Sequence, residues 1–360
     1  MYKEINKNKT IRESLINHYK AYPKSETTDI FKYIFQSAFG CEHLVSNRSA
    51  AEEYIRREYE SAAPTGACCI DKLDGDYSRV HLSCLADGLT AETLSKIFCL
   101  SAKKEPNGEE ELLQKLKIAA KLIESGELPI EKENFDKKLA EWQASGFPAV
   151  HHSDTFRAEY RPAYRVIANK YVEYLNIFSK IDKLLAEKDS VIIAIEGGSA
   201  SGKSTLAEIL SDVYDCNVFH MDDFFLRPEQ RTKERLMEIG GNVDRERFRD
   251  EVIEPLMNGK TVCYRPFDCS TQTLKDSVTV APKRLTIVEG VYSTHPAFER
   301  YYDLSILLDI DPEIQKARIL KRNSPQFAKR FFDEWIPLEN KYFTHTEIKK
   351  RVDVLHTIQK

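Results

Sequence analysis

Residues 191–205 read Val-Ile-Ile-Ala-Ile-Glu-Gly-Gly-Ser-Ala-Ser-Gly-Lys-Ser-Thr, and the second half of the chain is organised around them. The first five are apolar and mostly β-branched, which is typical of a strand buried on both faces of a parallel sheet. A glycine-rich turn follows directly, and apolar residues then recur at helical spacing at Leu206, Ile209, Leu210 and Val213. The pattern predicts a strand, a tight loop and a helix in immediate succession.

The loop fits the pattern G-x-x-x-x-G-K-[ST]. Glycines let backbone N–H groups point into such a loop, and the helix that follows directs the positive end of its dipole to the same place. The motif predicts a nucleotide site in which Lys203 contacts the β- and γ-phosphates and the Ser204 hydroxyl ligates Mg²⁺; a turn that only caps a helix is the alternative. The residues expected to bind ATP are Gly197, Gly198, Ser199, Ala200, Ser201, Gly202, Lys203, Ser204 and Thr205.

Composition narrows the class of protein. A chain of 360 residues is long for one hydrophobic core, so two domains are expected. The net charge of -4 argues against a protein that binds nucleic acid through bulk charge. No stretch has the apolar character of a signal peptide or a bilayer span, which predicts a cytoplasmic protein without a membrane partner. The eight cysteines contain no C-x-x-C pair, so structural zinc is not expected.

Residues 1–185 are predicted to form a separate, mostly helical α+β domain of unknown role. Helical periodicity covers residues 11–19, 28–38, 50–59, 91–102, 109–124 and 135–144, a strand-like alternation covers 77–85, and a long helix is expected over about 164–187.

Side chains suited to binding are scattered through this half, but their spacing matches no metal signature. Surface polar groups with a few core histidines and cysteines are the preferred interpretation. A second ligand site is the alternative, favoured most by the Arg/Tyr cluster because arginine forks suit phosphates and carboxylates. The residues concerned are Cys41, Glu42, His43, His81, Cys84, His151, His152, Arg157, Tyr160, Arg161, Tyr164 and Arg165.

Residues 186–360 alternate strands and helices, as a doubly wound parallel α/β domain does. Further strands are expected at 217–221, 285–288, 305–308 and 352–355, with helices at 245–257, interrupted at Pro255, and at 313–322. Ligands of such sheets bind beyond the carboxyl ends of the strands, where three of these strands end in acids. Asp222 is predicted to deprotonate an acceptor hydroxyl and Glu289 to hold Mg²⁺; Asp223 is the rival for each role, and helix capping is the structural alternative.

The helix at 313–322 is basic and includes Arg318 and Arg322. A mobile basic segment that closes over ATP neutralises the migrating charge and excludes water, so a lid is one interpretation. A solvated helix face is the other.

Several short motifs, in this order, make the chain from about Ser190 onward resemble the uridine kinase family and its relatives, the phosphoribulokinases, nicotinamide riboside kinases and bacterial pantothenate kinases. They are the glycine-rich loop at 197–205, His-Met-Asp-Asp-Phe-Phe at 220–225, Asn-Val-Asp at 242–244, Arg-Pro-Phe-Asp at 265–268, Val-Glu-Gly at 288–290 and the basic stretch with Arg318 and Arg322. No family resemblance is found for residues 1–185.

The resemblance implies a P-loop kinase fold and a phosphotransferase that moves the ATP γ-phosphate, with Mg²⁺, to a hydroxyl of a nucleoside or related sugar alcohol. By position it makes Asp222 the base, assigns Lys203, Arg318 and Arg322 to the phosphates, and puts Glu289 near Mg²⁺. The contacts expected for the acceptor are Asp223, Asp244 on the sugar hydroxyls, Arg265, Phe267 beside the base and Gln272.

The sequence departs from uridine kinases at two positions. Gln272 stands where these enzymes usually carry a histidine, and Leu274 where a basic residue follows. Both departures bear on the uracil assignment and leave the kinase chemistry intact. Three alternatives therefore stay open. They are a kinase for a non-nucleoside alcohol, of pantothenate or sugar type; an ATP-gated regulatory protein that acts through its N-terminal domain; and a bifunctional protein whose N-terminal half is a catalyst in its own right. Relatives are often oligomers, so a homo-oligomer is a further expectation.

Overall fold

A computed structural model describes residues 2–41, 48–62, 69–102 and 107–358 of the chain. The chain divides into two compact units, Met1–Asp182 and Lys183–Lys360. Two of the side chains proposed for binding, Glu42 and His43, lie outside the described residues. None of the helices in the described ranges combines the length and the apolar character needed to cross a membrane.

The first unit packs helices against a small antiparallel sheet. The helices are α1 (Tyr2–Ala21), α2 (Thr27–Phe39), α3 (Arg48–Ala62), α4 (Ala91–Ser101), α5 (Gly108–Glu124), α6 (Lys132–Ala144), α7 (Asp154–Tyr160), α8 (Asn169–Val172) and α9 (Leu175–Glu187). The strands β1 (Ile70–Lys72), β2 (Tyr77–His81) and β3 (Tyr164–Ala168) lie in that order and pair antiparallel. The mostly helical character predicted for this half is therefore confirmed.

Two predictions in the first unit are wrong. The long helix expected over 164–187 begins as strand β3, because the β-branched Val166 and Ile167 pair with β2 and bury their side chains. Helix resumes only at Asn169. The alternation at 77–85 is strand only as far as His81; residues Leu82–Leu85 form a 3₁₀ turn instead.

The second unit is built on a five-stranded parallel sheet flanked by helices, as predicted. Its strands are β4 (Val191–Gly197), β5 (Cys216–His220), β10 (Leu285–Glu289), β11 (Leu304–Ile310) and β12 (Val354–Ile358), in the spatial order β12-β11-β4-β10-β5. The central strand β4 is buried along its whole length, which accounts for its apolar, β-branched sequence. Two short hairpins pair β6 (Val262–Tyr264) with β9 (Val278–Val280) and β7 (Phe267–Asp268) with β8 (Thr273–Leu274).

The helices of this unit include α10 (Lys203–Val213), α11 (Lys233–Met237), α12 (Arg245–Phe248), α13 (Glu254–Met257), α14 (Pro312–Arg322), α15 (Pro325–Arg330), α16 (Ile336–Thr346) and α17 (Ile348–Arg351). The break expected at Pro255 is wrong, since a π-helical turn over Arg249–Ile253 joins α12 to α13. A π turn changes the hydrogen-bond register, and the missing N–H of proline is accommodated directly after it.

Candidate active site

The glycine-rich loop runs from the carboxyl end of β4 to the start of α10, and its glycines are required by close contacts. Gly197 has φ 154°, and a Cβ there would lie 2.6 Å from Ser201 Oγ and 2.7 Å from the backbone oxygen of Leu308. Gly202 has φ 100° and begins the helix that carries Lys203. The backbone conformation therefore explains both glycines of the motif.

Two helices from the C-terminal part of the unit hold the loop through Ser199. The Ser199 N–H donates to Glu339 Oε2 of α16 at 2.9 Å, and its hydroxyl donates to the other oxygen of the same carboxylate. Gln315 of α14 donates to the Ser199 carbonyl at 2.8 Å. Lys203 Nζ donates to the Gly198 carbonyl at 3.1 Å, so its ammonium group lies over the loop. The loop is thus fixed from both sides before any anion enters.

A second carboxylate, Glu196, is buried beneath the loop at the end of β4. It is fully excluded from solvent and accepts hydrogen bonds from the backbone N–H groups of Gly197, Tyr292 and Thr294 at 2.9 to 3.1 Å. The Tyr342 hydroxyl, from α16, donates to it at 3.2 Å. Burial raises the pKa of Glu196 to about 7, while the backbone hydrogen bonds oppose the shift. Glu196 therefore connects the loop to α16 and to the turn after β10.

At the neighbouring strand ends, Glu289 lies between a serine and a histidine. The Ser204 hydroxyl donates to Glu289 Oε1 at 3.0 Å, and His220 Nδ1 lies 2.6 Å from the same oxygen. Burial acts to raise the pKa of Glu289, but the His220 hydrogen bond and the Lys203 charge outweigh it and lower the pKa. The hydrogen bond to Glu289 raises the pKa of His220 in turn. A serine hydroxyl next to an ionised carboxylate is a donor set that suits Mg²⁺.

Asp222 and Asp223 lie in the 3₁₀ turn that follows β5. Asp222 is exposed, but the protein around its carboxyl partly desolvates it, and this desolvation raises its pKa; Lys203 opposes the shift and Glu289 adds to it. Asp223 is half-buried, and the Tyr264 hydroxyl donates to it at 3.2 Å. Burial likewise raises the pKa of Asp223. Asp222 thus lies within the electrostatic range of both Lys203 and Glu289.

The other residues expected to contact an acceptor make contacts within the protein. Asp244 is buried, caps α12 through the Arg247 N–H at 3.1 Å and accepts from Gln230 at 2.7 Å. Arg265 donates to two backbone carbonyls of its own hairpin, at Lys275 and Leu274.

Phe267 and Gln272 belong to the same hairpin. Phe267 is buried, with the Arg231 guanidinium 5.8 Å from its ring centroid. Gln272 occupies the hairpin turn with φ 59° and donates to the Cys269 carbonyl at 2.6 Å. The residues expected to contact an acceptor lie on one side of the sheet edge. Most of their polar groups form hydrogen bonds with neighbouring protein groups.

Arg318 and Arg322, the two arginines of the basic helix for which a lid is one interpretation, differ in their contacts. Arg318 is exposed on α14, and its Nη1 donates to the Ala200 carbonyl of the loop at 3.1 Å. Arg322, one turn later, lies with its guanidinium 5.5 Å from the ring centroid of Phe331. A small apolar cluster of Ile319, Ala328 and Phe331, which also packs against Ala200, joins this segment to the loop.

Sequence reasoning missed four residues that define the loop: Glu196, Gln315, Glu339 and Tyr342. Glu196 has a local signal, because an acid as the penultimate residue of a buried strand needs hydrogen-bond donors. Glu339 and Tyr342 lie more than a hundred residues from the loop and carry no motif. Among the residues that the structure describes, no group of three or more His, Cys, Asp or Glu side chains is placed to hold a metal ion.

Comparison with known proteins gives a family for part of the chain. Residues 192–328 match the family described as Phosphoribulokinase / Uridine kinase. Uridine kinase-like protein 5 of Arabidopsis thaliana is 28% identical over 180 residues, which is 43% of this chain and 38% of that protein. Uridine kinase of Clostridium perfringens is 28% identical over 151 residues, 38% of this chain and 69% of that protein. The chain thus spans well under half the length of the Arabidopsis relative.

A solved structure of a possible uridine kinase from Bacillus stearothermophilus covers 50% of this chain and 98% of its own, at 22% identity and a TM-score of 0.38. The family match lies wholly within the second unit. The unit's parallel sheet with flanking helices has the α/β fold of P-loop kinases. Residues 192–328 of this unit match the phosphoribulokinase and uridine kinase family.

Proposed function

We propose that the second unit is the catalytic part of a cytoplasmic, Mg²⁺-dependent kinase that transfers the γ-phosphate of ATP to a hydroxyl of a small-molecule alcohol. The observation that carries the proposal is the grouping of Asp222, Glu289 and Ser204 around Lys203 at the mouth of the glycine-rich loop. Phosphoryl transfer needs a cation on the phosphates, a carboxylate near Mg²⁺ and a second carboxylate for the acceptor hydroxyl. This group of side chains supplies all three.

Each side chain has a distinct task in this proposal. Lys203 moves from the Gly198 carbonyl to the phosphates of ATP. Ser204 and Glu289 would hold Mg²⁺, which when bound neutralises charge on the β- and γ-phosphates. Asp222 accepts the proton of the acceptor hydroxyl, and its raised pKa favours that role because a stronger base holds the proton more readily. Arg318 lies on the loop backbone, from which it can reach the migrating phosphoryl group.

The acceptor is proposed to be a nucleoside or a related sugar alcohol. Support comes from the family match and from relatives whose names include uridine kinase. Two side chains that could bind acceptor hydroxyls are Asp223, which follows Asp222 in the chain, and Tyr264, whose hydroxyl donates to Asp223. A non-nucleoside alcohol is the second candidate, favoured by the observation that Gln272 and Arg265 donate to backbone carbonyls of their own hairpin. An ATP-gated regulatory role is the third alternative.

The test is ADP release by the full-length chain with Mg·ATP and a panel of nucleosides, pentoses, pantothenate and other vitamin-like alcohols, each compared with a blank without acceptor. One acceptor class should stimulate release, and Lys203→Ala and Asp222→Asn should abolish the stimulation. Asp222→Asn should keep its affinity for ATP, since the carboxyl acts on the acceptor. The matched control is Asp276→Asn, an exposed acid elsewhere in the unit, which should leave turnover unchanged.

Three results would contradict the kinase proposal. They are ADP release that no acceptor alters, tight ATP binding without any turnover, and full turnover in Asp222→Asn. The second result would favour the regulatory alternative, in which ATP acts as a switch for the first unit.

A further inference from the structure

One face of the three-stranded sheet in the first unit is polar although helices cover it. Register places Arg79 of β2 opposite Asp71 of β1, and His81 opposite Tyr164 of β3. Because alternate residues of a strand share a face, Arg79 and His81 lie on the same side. His18 from α1 completes the group. A sheet face under helices is ordinarily apolar, so this composition calls for a chemical explanation.

Arg79 is the centre of this polar face. Only 1% of it is exposed, its Nε donates to Gln36 Oε1 at 2.8 Å, and its Nη1 lies 3.4 Å from Asp71 Oδ2. The rings of Tyr33 and Tyr164 hold the guanidinium, with centroids 5.3 and 4.9 Å from it. Its Nη2 has no hydrogen-bond partner in the described ranges. A guanidinium can only donate, so the open position has to meet an acceptor.

Two imidazoles beside Arg79, the buried His18 and the half-buried His81, also have unsatisfied nitrogens. His18 is 3% exposed, and neither of its ring nitrogens has a hydrogen-bond partner among the residues described. Asp71 Oδ2 lies 3.8 Å from its Nδ1, beyond hydrogen-bond range. The Nε2 of His81 is buried and unpartnered within the same set of residues. Buried polar groups in folded proteins are nearly always paired, so three in one cluster indicate that something binds between them.

A hydrogen-bond relay behind the cluster fixes its geometry. Asp29 is fully buried and accepts from His152 Nδ1 at 2.8 Å and from Ser153. His152 Nε2 lies 2.7 Å from the Tyr164 hydroxyl. The relay holds the Tyr164 ring against Arg79, so the guanidinium is oriented before any ligand arrives. Preorganisation of this kind is typical of a binding site.

We propose that this face of the first unit is a second ligand site, which binds the anionic group of a small molecule, a carboxylate or a phosphate, through Arg79 with His18 and His81. The open positions belong to a cation and to neutral imidazoles, each of which can donate to an anion. Asp71 is 20% exposed at its side chain, so it marks the edge where the site meets solvent. Its carboxylate can accept a hydroxyl of the same ligand.

Calorimetry on the full chain tests the proposal, with inorganic phosphate and acetate as probes. All variants carry Lys203→Ala, which weakens phosphate binding at the glycine-rich loop. We expect saturable binding of one probe with a millimolar or lower Kd, and at least about tenfold weaker binding in Arg79→Gln, because charge-assisted hydrogen bonds are the strong ones. The control is Arg165→Gln: this buried arginine projects from the opposite face of the sheet and pairs with Glu58 at 2.7 Å.

The two probes distinguish a phosphate ligand from a carboxylate ligand by which of them binds. A second variant, His18→Asn, keeps the charge of the cluster and should also weaken binding. The proposal is overturned if neither probe binds saturably in Lys203→Ala, in which case water fills the open positions. Binding that survives unchanged in Arg79→Gln or His18→Asn, or that falls equally in Arg165→Gln, would overturn it as well.

Discussion

The exchange of Gly197 for alanine should disable the glycine-rich loop, whereas the same exchange at Gly198 should be tolerated. At Gly197 the new methyl group would lie 2.7 Å from the Leu308 carbonyl oxygen. That oxygen cannot retreat, because Leu308 pairs with Gly197 in the parallel ladder between β11 and β4. At Gly198 the close neighbours are the ends of two side chains, Gln315 at 3.0 Å and Glu339 at 3.2 Å, and both can shift.

The expected magnitude at Gly197 combines two terms. A side chain at φ 154° is strained by about 1–3 kcal/mol. Overpacking against an immobile backbone atom adds about 1–3 kcal/mol. We therefore expect Gly197→Ala to lower the free energy of unfolding by about 2–6 kcal/mol, and Gly198→Ala by about 1 kcal/mol or less. If the loop moves to relieve the strain, ATP binding has to return the loop to its original conformation. The affinity for ATP then falls about tenfold for each 1.4 kcal/mol that this return costs.

Urea unfolding and fluorescence titration with an ATP analogue measure the two effects. Gly198→Ala is the matched control, since it adds the same methyl group one residue away. Equal stability of the two variants, or an unchanged nucleotide affinity in Gly197→Ala, would refute the argument from the Leu308 contact.

Two further predictions concern carboxylates. Burial raises the pKa of Glu339, which holds the loop through Ser199. The negative charge of ATP raises this pKa further, so binding takes up a proton and affinity should increase as the pH falls. Glu339→Gln should flatten that slope in titrations at pH values above the ordinary carboxyl pKa of 4.5, and an unaltered slope would contradict the argument. Asp182 accepts hydrogen bonds from Thr90 and Thr93. Asp182→Asn should therefore lower the free energy of unfolding by about 2–4 kcal/mol, which thermal unfolding would measure. A titration with ATP should show an unchanged affinity. Unaltered unfolding would show these hydrogen bonds to be dispensable.

The sequence predicts the arrangement around the glycine-rich loop because that arrangement is local. A buried strand, a glycine turn and an amphipathic helix follow one another within about two dozen residues. Glu289 is the last residue of β10 and Asp222 comes two residues after β5, and these two strands are neighbours in the sheet. In a parallel sheet the carboxyl ends of neighbouring strands share one edge, so placing an acid after a strand also places it in space. Strand register then sets Glu289 opposite Ile195 and His220.

Contacts between distant parts of the chain could not be predicted in the same way. Glu339 binds Ser199 across 140 residues, and nothing in the sequence near α16 suggests it. Tyr164–Ala168 lies in the range for which the sequence predicts a helix, whereas its pairing with β2 makes it a strand. Pairing of this kind depends on a partner more than eighty residues away, which local propensity does not contain.

The second unit has a phosphate side and an acceptor side. The difference between them explains why the family resemblance indicates the type of reaction more clearly than it indicates the substrate. The phosphate side consists of backbone geometry and a few charges, which every phosphoryl acceptor requires equally. On the acceptor side, Asp244 caps a helix and Arg265 and Gln272 hold the β7–β8 hairpin together. A side chain that satisfies the backbone of its own hairpin cannot donate the same N–H groups to a ligand. Under the proposed function, we therefore expect selectivity to depend mainly on the groups around Asp222, among them Asp223 and the Tyr264 hydroxyl that donates to it.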